Sequence, residues 1–167
     1  MRLGDGGFTL IEAILVVTLL AILAAAVLIK NPIEKVRVNG AAAKVKADIR
    51  YARKLAVSSG QTAVMRFDAT GYGIFTDLVA NTPASGTGEA CSTDASGNFN
   101  VDFSAARCAN LNGILLTYST GTVAFDALGT PLDAAGTPFA AQQTVTVAGT
   151  GGSRLIQIEA QTGRVSD

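Results

Sequence analysis

Glu12 is the residue of this chain most in need of a partner. It closes the string Gly7-Phe8-Thr9-Leu10-Ile11-Glu12, and from Ala13 to Ile29 no residue carries a formal charge. A carboxylate inside such a run costs about 2.5–3.5 kcal/mol on insertion scales, so an ionised Glu12 requires a matching cation. Cleavage between Gly7 and Phe8 would create one, the new terminal ammonium of Phe8. The run Phe8–Ile29 is 22 residues long. As a helix rising about 1.5 Å per residue, it reaches across a hydrocarbon core of roughly 30 Å. The bland alternative for Glu12 is a charge tolerated near the end of a signal anchor, snorkelling to the interface.

Other residues with chemical potential are few. The chain has no His and no Trp, which removes imidazole bases, imidazole metal ligands and every triad built on them. Asp94-Ala95-Ser96-Gly97-Asn98-Phe99-Asn100 alternates oxygen donors as calcium loops do. It lacks the turn Gly at the sixth position and has Ala105 where the twelfth-position Glu would stand, so a solvated Asn/Asp loop is the better account. Gly149-Thr150-Gly151-Gly152 superficially resembles a phosphate cradle, but no Gly-Lys-Ser/Thr follows and a β-turn is expected. No catalytic residue, metal site or cofactor is expected, and the chain reads as a non-enzyme. Cys91 and Cys108 are the only cysteines. An even count in an exported head is most simply a disulfide closing the loop between them, with two unpaired thiols as the alternative.

Charge is balanced overall but divided along the chain. Residues 1–59 hold nine basic and four acidic groups, and residues 60–167 hold four basic and nine acidic, giving +5 and −5. An acidic C-terminal part is poorly suited to gripping phosphate backbones, so nucleic acid is not an expected partner. The basic stretch between Lys30 and Lys54 reads as the solvated face of a helix. Contact with anionic lipid headgroups or with an acidic neighbour in an assembly is the functional alternative. Arg154 and Arg164 read as partners of Glu159 or as strand-face residues, and neither builds a basic groove.

The elements that position these residues follow from pattern. After the apolar run, Lys30-Asn31-Pro32 predicts a kink or local break. From Ile33 to about Ser58 a second, amphipathic helical stretch presents Val45, Ile49, Ala52 and Ala56 on one face, flanked by Leu55, with Gly60 as its stop. Thr62–Phe67 and Tyr72–Thr76 predict a hairpin turning through Asp68-Ala69-Thr70-Gly71. Ile114–Tyr118 and Val123–Phe125 form another candidate pair, and Thr144–Val147 and Leu155–Ile158 flank the 149–152 turn. Residues 80–110 and 127–141 read as loops. A long N-terminal helix followed by hairpins is an α+β layout, organised as a leader 1–7, a transmembrane helix 8–29, an amphipathic stem 30–59 and a β-rich head 60–167.

The Gly7–Glu12 string resembles the class III signal of type IV pilins and type II secretion pseudopilins. That resemblance implies a membrane-embedded prepilin peptidase that cuts after Gly7 and N-methylates Phe8. It also implies retention of the apolar helix as inner-membrane anchor and filament core, and pairing of Glu12 with the Phe8 amine during assembly. The partners implied are the peptidase, the inner membrane and other pilins or pseudopilins of a hetero-oligomeric filament, with the head in the periplasm. The family's usual helix-perturbing Pro and mid-helix Gly fall on Ile29 and Ala21 here. A cleaved secretory signal fits less well, because the apolar run is too long and Glu12 interrupts it. The positive-inside bias runs the other way, with Lys30, Lys35, Arg37 and Lys44 after the run and only Arg2 and the amino terminus before it. The processing motif outweighs that count. Asp48–Val57 followed by a strand, Thr122-Val123-Ala124-Phe125 before Gly129, and the closing Gly163-Arg164-Val165 resemble, in that order, the minor pseudopilins of the GspH/FimT family. The function implied is that of a minor pseudopilin in the periplasmic pseudopilus, or alternatively of a FimT-like minor pilin in pilus biogenesis or DNA uptake.

Overall fold

The computed structural model describes the backbone of residues 9–28 and 32–167, and the chain divides into two units between Pro32 and Ile33. The first unit contains α1, Leu10–Leu28. Thr9 caps it: the Glu12 N–H donates to the Thr9 carbonyl at 3.1 Å and to its Oγ1 at 3.3 Å, which satisfies one of the amides a helix start leaves without a partner. Residues 10–24 are exposed throughout, Leu10 at 78% and Ile22 at 70%. A helix apolar on every side has no polar face to offer water. Thr18 donates its hydroxyl back to the Ile14 and Leu15 carbonyls at 3.0 and 2.9 Å. Among the described residues no helix is long and apolar enough to cross a membrane. The span expected from the sequence, 8–29, begins and ends outside the described residues, as do Lys30 and Asn31 of the expected kink.

In the second unit, α2 covers Pro32–Ser59. Proline suits a first helical position, where its missing N–H has no intrahelical acceptor to lose. Val38, Ala41, Ala42, Val45, Ile49, Ala52 and Ala56 are buried along one face, the helical spacing expected of an apolar stripe. Gly60 ends the helix with φ 67°, its N–H donating to the Ala56 carbonyl at 3.0 Å, a left-handed cap that glycine adopts without Cβ strain.

Two antiparallel sheets complete the unit. The first runs β3 (Asn100–Asp102), β2 (Gly71–Phe75), β1 (Ala63–Phe67), β5 (Thr122–Phe125) and β6 (Pro131–Leu132). The second runs β4 (Leu115–Tyr118), β7 (Gln143–Gly149), β8 (Gly152–Ile158) and β9 (Val165–Ser166). The buried face of α2 shares one core with Met65, Ile74, Val101 and Phe125 of the first sheet and with Val145, Val147, Ile156 and Ile158 of the second. Alternation is visible in β7, where Val145 and Val147 are buried and their neighbours are not, the period of two of a half-covered strand. Helix followed by antiparallel sheets is the α+β, pilin-like layout expected.

The β1–β2 hairpin forms with Phe67 opposite Tyr72, and β7–β8 with Gly149 opposite Gly152. The expected pairing of the 114–118 and 123–125 strands does not occur. β4 pairs with β7 and β5 with β1, so the chain changes sheet across Ser119–Gly121. β4 buries only Leu116, whereas β5 buries Val123, Ala124 and Phe125 and so is covered on both faces, and neither pattern specifies which partner completes the ladder. The loops read at 80–110 and 127–141 also contain β3, β6 and a kinked 3-10 helix, Ala106–Leu111.

Gly151 marks where the β7–β8 turn meets the stem. A Cβ there would lie 2.2 Å from the Glu34 carbonyl carbon and 2.5 Å from the Lys35 nitrogen, and backbone cannot give way as a flexible side chain can. Gly151→Ala should therefore destabilise the fold by about 1–3 kcal/mol through overpacking, read as a lower urea midpoint. An unchanged midpoint would show that the hairpin is free to swing off α2.

Candidate processing and assembly site

Gly7 and Phe8 lie outside the described residues. Glu12 lies in the first turn of α1 with its side chain exposed, on the helix end whose dipole favours a carboxylate. Thr9 and Glu12 have the Thr-x-x-Glu spacing of a helix-capping box. The string that suggests processing thus also starts the helix, and its Thr-x-x-Glu spacing is a local signal of that start.

The head is fastened to α2 by a polar cluster that the sequence did not reveal. Asp48, 7% exposed, accepts a hydrogen bond from the Tyr72 hydroxyl of β2 at 2.6 Å and lies 3.3 Å from the Lys44 ammonium. Lys44 reaches Glu89 at 3.0 Å and donates to the fully buried Ser92. Burial raises the Asp48 pKa against the opposing pull of Tyr72 and Lys44, and burial, with the adjacent Asp48, holds the Tyr72 phenol well above its usual range. The Lys44 hydrogen bond lowers that of Glu89, which is more open to solvent. With its folded pKa raised, Asp48 binds more protons folded than unfolded between its ordinary pKa near 4 and the raised value, so its contribution to stability falls as pH rises through that window. Asp48→Asn removes this titration. The stability of the variant relative to the native chain should rise from pH 4 upward, measured by urea unfolding at a series of pH values. A difference independent of pH would sink the assignment.

Next to this cluster Cys91 and Cys108 are joined, with Cα atoms 4.9 Å apart. The disulfide ties the 3-10 helix to the loop whose Glu89 and Ser92 meet Lys44. Arg37 adds a second tether, donating to the Asn110 and Ala109 carbonyls at 3.0 and 3.3 Å.

The calcium-like loop has a structural explanation. Asp94 Oδ1 accepts from the Ser96 and Asn98 N–H groups at 2.8 and 2.9 Å. Asp126 does the same for Leu128 and Thr130, and Asp133 for Ala135 and Thr137. Each is an Asp-x-x-Gly-x turn whose glycine, Gly97, Gly129 or Gly136, has φ near +80°; the carboxylate caps its own turn. Among the described residues no group of acidic, His or Cys side chains could hold a metal ion.

One sequence reading is corrected by the geometry. Arg164, besides pairing with Glu159, lines a groove of about 420 Å³ with Arg50, Arg53, Lys54, Val57, Gly163 and Val165. A basic groove is therefore built, from α2 residues and the C-terminal segment Gly163–Val165, more than 100 positions apart. Arg154 instead donates to Asn39 Oδ1 of α2 at 2.7 Å.

A long helix packed on antiparallel sheets, preceded in sequence by an apolar helix with a capped acidic first turn, is a pilin-like layout. The chain belongs to the GspH family: residues 41–162 match the family described as type II transport protein GspH. Residues 2–28 match the prokaryotic N-terminal methylation motif. Two crystal forms of the type IV minor pilin FimU from Pseudomonas aeruginosa PAO1 share the fold, with TM-scores of 0.52 and 0.51 at 21% and 20% identity. In each case 77% of this chain is covered, with 86% and 90% of the FimU chain. No curated protein sequence matches the chain. The family is one of pilin-type structural subunits rather than enzymes.

Proposed function

We propose that this chain is a minor pseudopilin of the type II protein secretion system. The observation that carries this reading is the joint presence of the methylation motif over residues 2–28 and the GspH match over residues 41–162. Prepilin peptidase cleaves between Gly7 and Phe8 and methylates the new amine. Residues 8–29 anchor the chain in the inner membrane, residues 30–59 form the stem, and residues 60–167 form a periplasmic head, a setting in which the Cys91–Cys108 bond persists. Glu12 neutralises a Phe8 ammonium, its own or a neighbour's, as the subunit enters a filament with other pseudopilins. An unpaired charge in hydrocarbon is costly, so the pair selects register. No catalytic step is assigned to the protein. A second reading, a minor type IV pilin acting in pilus biogenesis or DNA uptake, is favoured by the likeness of the head to FimU. Mass spectrometry of the N-terminal peptide from membrane-extracted protein tests the shared core of both. A chain starting at N-methylated Phe8 is expected; an intact Met1 in cells with active peptidase would overturn the filament mechanism. Loss of secretion, rather than of piliation, on deletion would separate the machines.

A further inference from the structure

The basic groove is the feature of the head that the reading above leaves unused. Arg50, Arg53, Lys54 and Val57 fall at helical spacing i, i+3, i+4, i+7 on one face of α2, and Gly163, Arg164 and Val165 close the other wall. Lys44, Lys46, Arg37 and Arg164 have carboxylate partners, whereas among the described residues Arg50, Arg53 and Lys54 have none within ion-pair distance. Their positions are not left to solvent. Arg50 donates to the Val165 carbonyl at 3.0 Å and Arg53 to the Gly129 carbonyl at 3.2 Å, so both guanidiniums are held in place before any partner arrives, which lowers the entropy lost on binding. Arginine forks fixed in this way match carboxylate geometry.

We propose that this groove receives a carboxylate-bearing loop from the acidic head of a neighbouring pilin-type subunit. The inference rests on the filament reading above and names a contact within it. Charge complementarity selects the occupant: residues 60–167 of this same chain carry nine acidic and four basic groups, so a head of this kind offers the charge the groove lacks. At about 420 Å³ the groove is the size of a few side chains, whereas a nucleic-acid backbone needs an extended track of cations. A basic stem groove meeting an acidic head is a heterologous contact between two different patches, and contacts of that type propagate into open helical filaments rather than closing into dimers.

Carbodiimide cross-linking of the full chain in inner-membrane vesicles tests this, since the reagent joins an ammonium to a touching carboxylate. Lys54 is expected to form an amide with an Asp or Glu of a neighbouring pilin-type head. The yield should fall about tenfold in R50Q/R53Q or near 1 M salt, where the screening length is roughly 3 Å. The internal Lys44–Glu89 pair, 3.0 Å apart, should cross-link in every sample and report a folded head. Lys44–Glu89 product without any Lys54 product, in protein whose Phe8 is methylated, would overturn the groove contact and leave the filament reading standing. The same result in protein that retains Met1 would overturn both. Protection of Lys54 by a short DNA duplex, with no protein cross-link, would overturn the proposal in favour of a nucleic-acid groove.

Discussion

Glu12→Ala is expected to leave the protein in the membrane and remove it from the filament. The variant leaves the run from Phe8 to Ile29 without a charged side chain, so insertion becomes easier. Assembly meets the opposite effect. On the filament reading proposed above, a processed Phe8 carries an ammonium group into the apolar core of a helical bundle, and without Glu12 it would enter unpaired. Breaking a buried pair by removing one partner costs about 3–5 kcal/mol, roughly two to three and a half orders of magnitude in the assembled population. Loss of a helix-start carboxylate accounts for only about 0.3–1 kcal/mol and cannot produce a defect of that size. The readout is co-purification with other pilin subunits, normalised to the amount in the membrane fraction. Normal co-purification of the variant would sink the charge-pair mechanism. Glu12→Asp, which keeps the charge on a shorter stem, should recover part of the assembly.

Removing the disulfide should produce the largest loss of stability in the head. Cys91→Ala combined with Cys108→Ala frees a loop closed over a separation of 17 residues, worth about 3 kcal/mol in the chain-entropy account. That is a large fraction of the roughly 5–15 kcal/mol by which domains are stable. The position of the bond sharpens the expectation. Cys108 is 3% exposed, and the loop it holds carries Glu89 and Ser92, the partners of Lys44 on the stem. With the bond gone, β3 and the Lys44 contacts should loosen first, while the β7–β8 hairpin, held by its own seven-pair ladder, persists longer. Urea unfolding of the detergent-solubilised chain should show a midpoint lower by roughly 1–3 M, with faster amide exchange in Asn100–Asp102 than in Val145–Val147. Equal midpoints for the variant and the native chain would show that the loop is held by packing alone.

The sequence by itself determined the elements whose causes are local. The apolar stripe of α2 is written in the spacing of Val45, Ile49, Ala52 and Ala56, and its end in Gly60, because a helix reads side chains at a fixed period and stops where a left-handed residue is cheap. The turns at Asp68–Gly71 and Gly149–Gly152 were legible for the same reason. The three other Asp-x-x-Gly turns are equally local but read only as loops, the first as a solvated Asn/Asp loop in preference to a calcium loop, because a carboxylate that caps its own backbone has the same composition as one facing solvent or an ion. Beyond those two hairpins, strand partners were decided only by the tertiary structure. Leu115–Tyr118 and Thr122–Phe125 are near neighbours in sequence, yet they join different sheets, since burial dictates which face of a strand turns inward and leaves its hydrogen-bonding edge to whichever strand completes the layer. The Lys44–Asp48–Tyr72–Glu89–Ser92 cluster and the groove that brings Arg164 to Arg50, Arg53 and Lys54 were beyond sequence reading on the same ground. Their chemistry depends on groups from distant segments being brought together, and no periodicity along the chain encodes a distance across it.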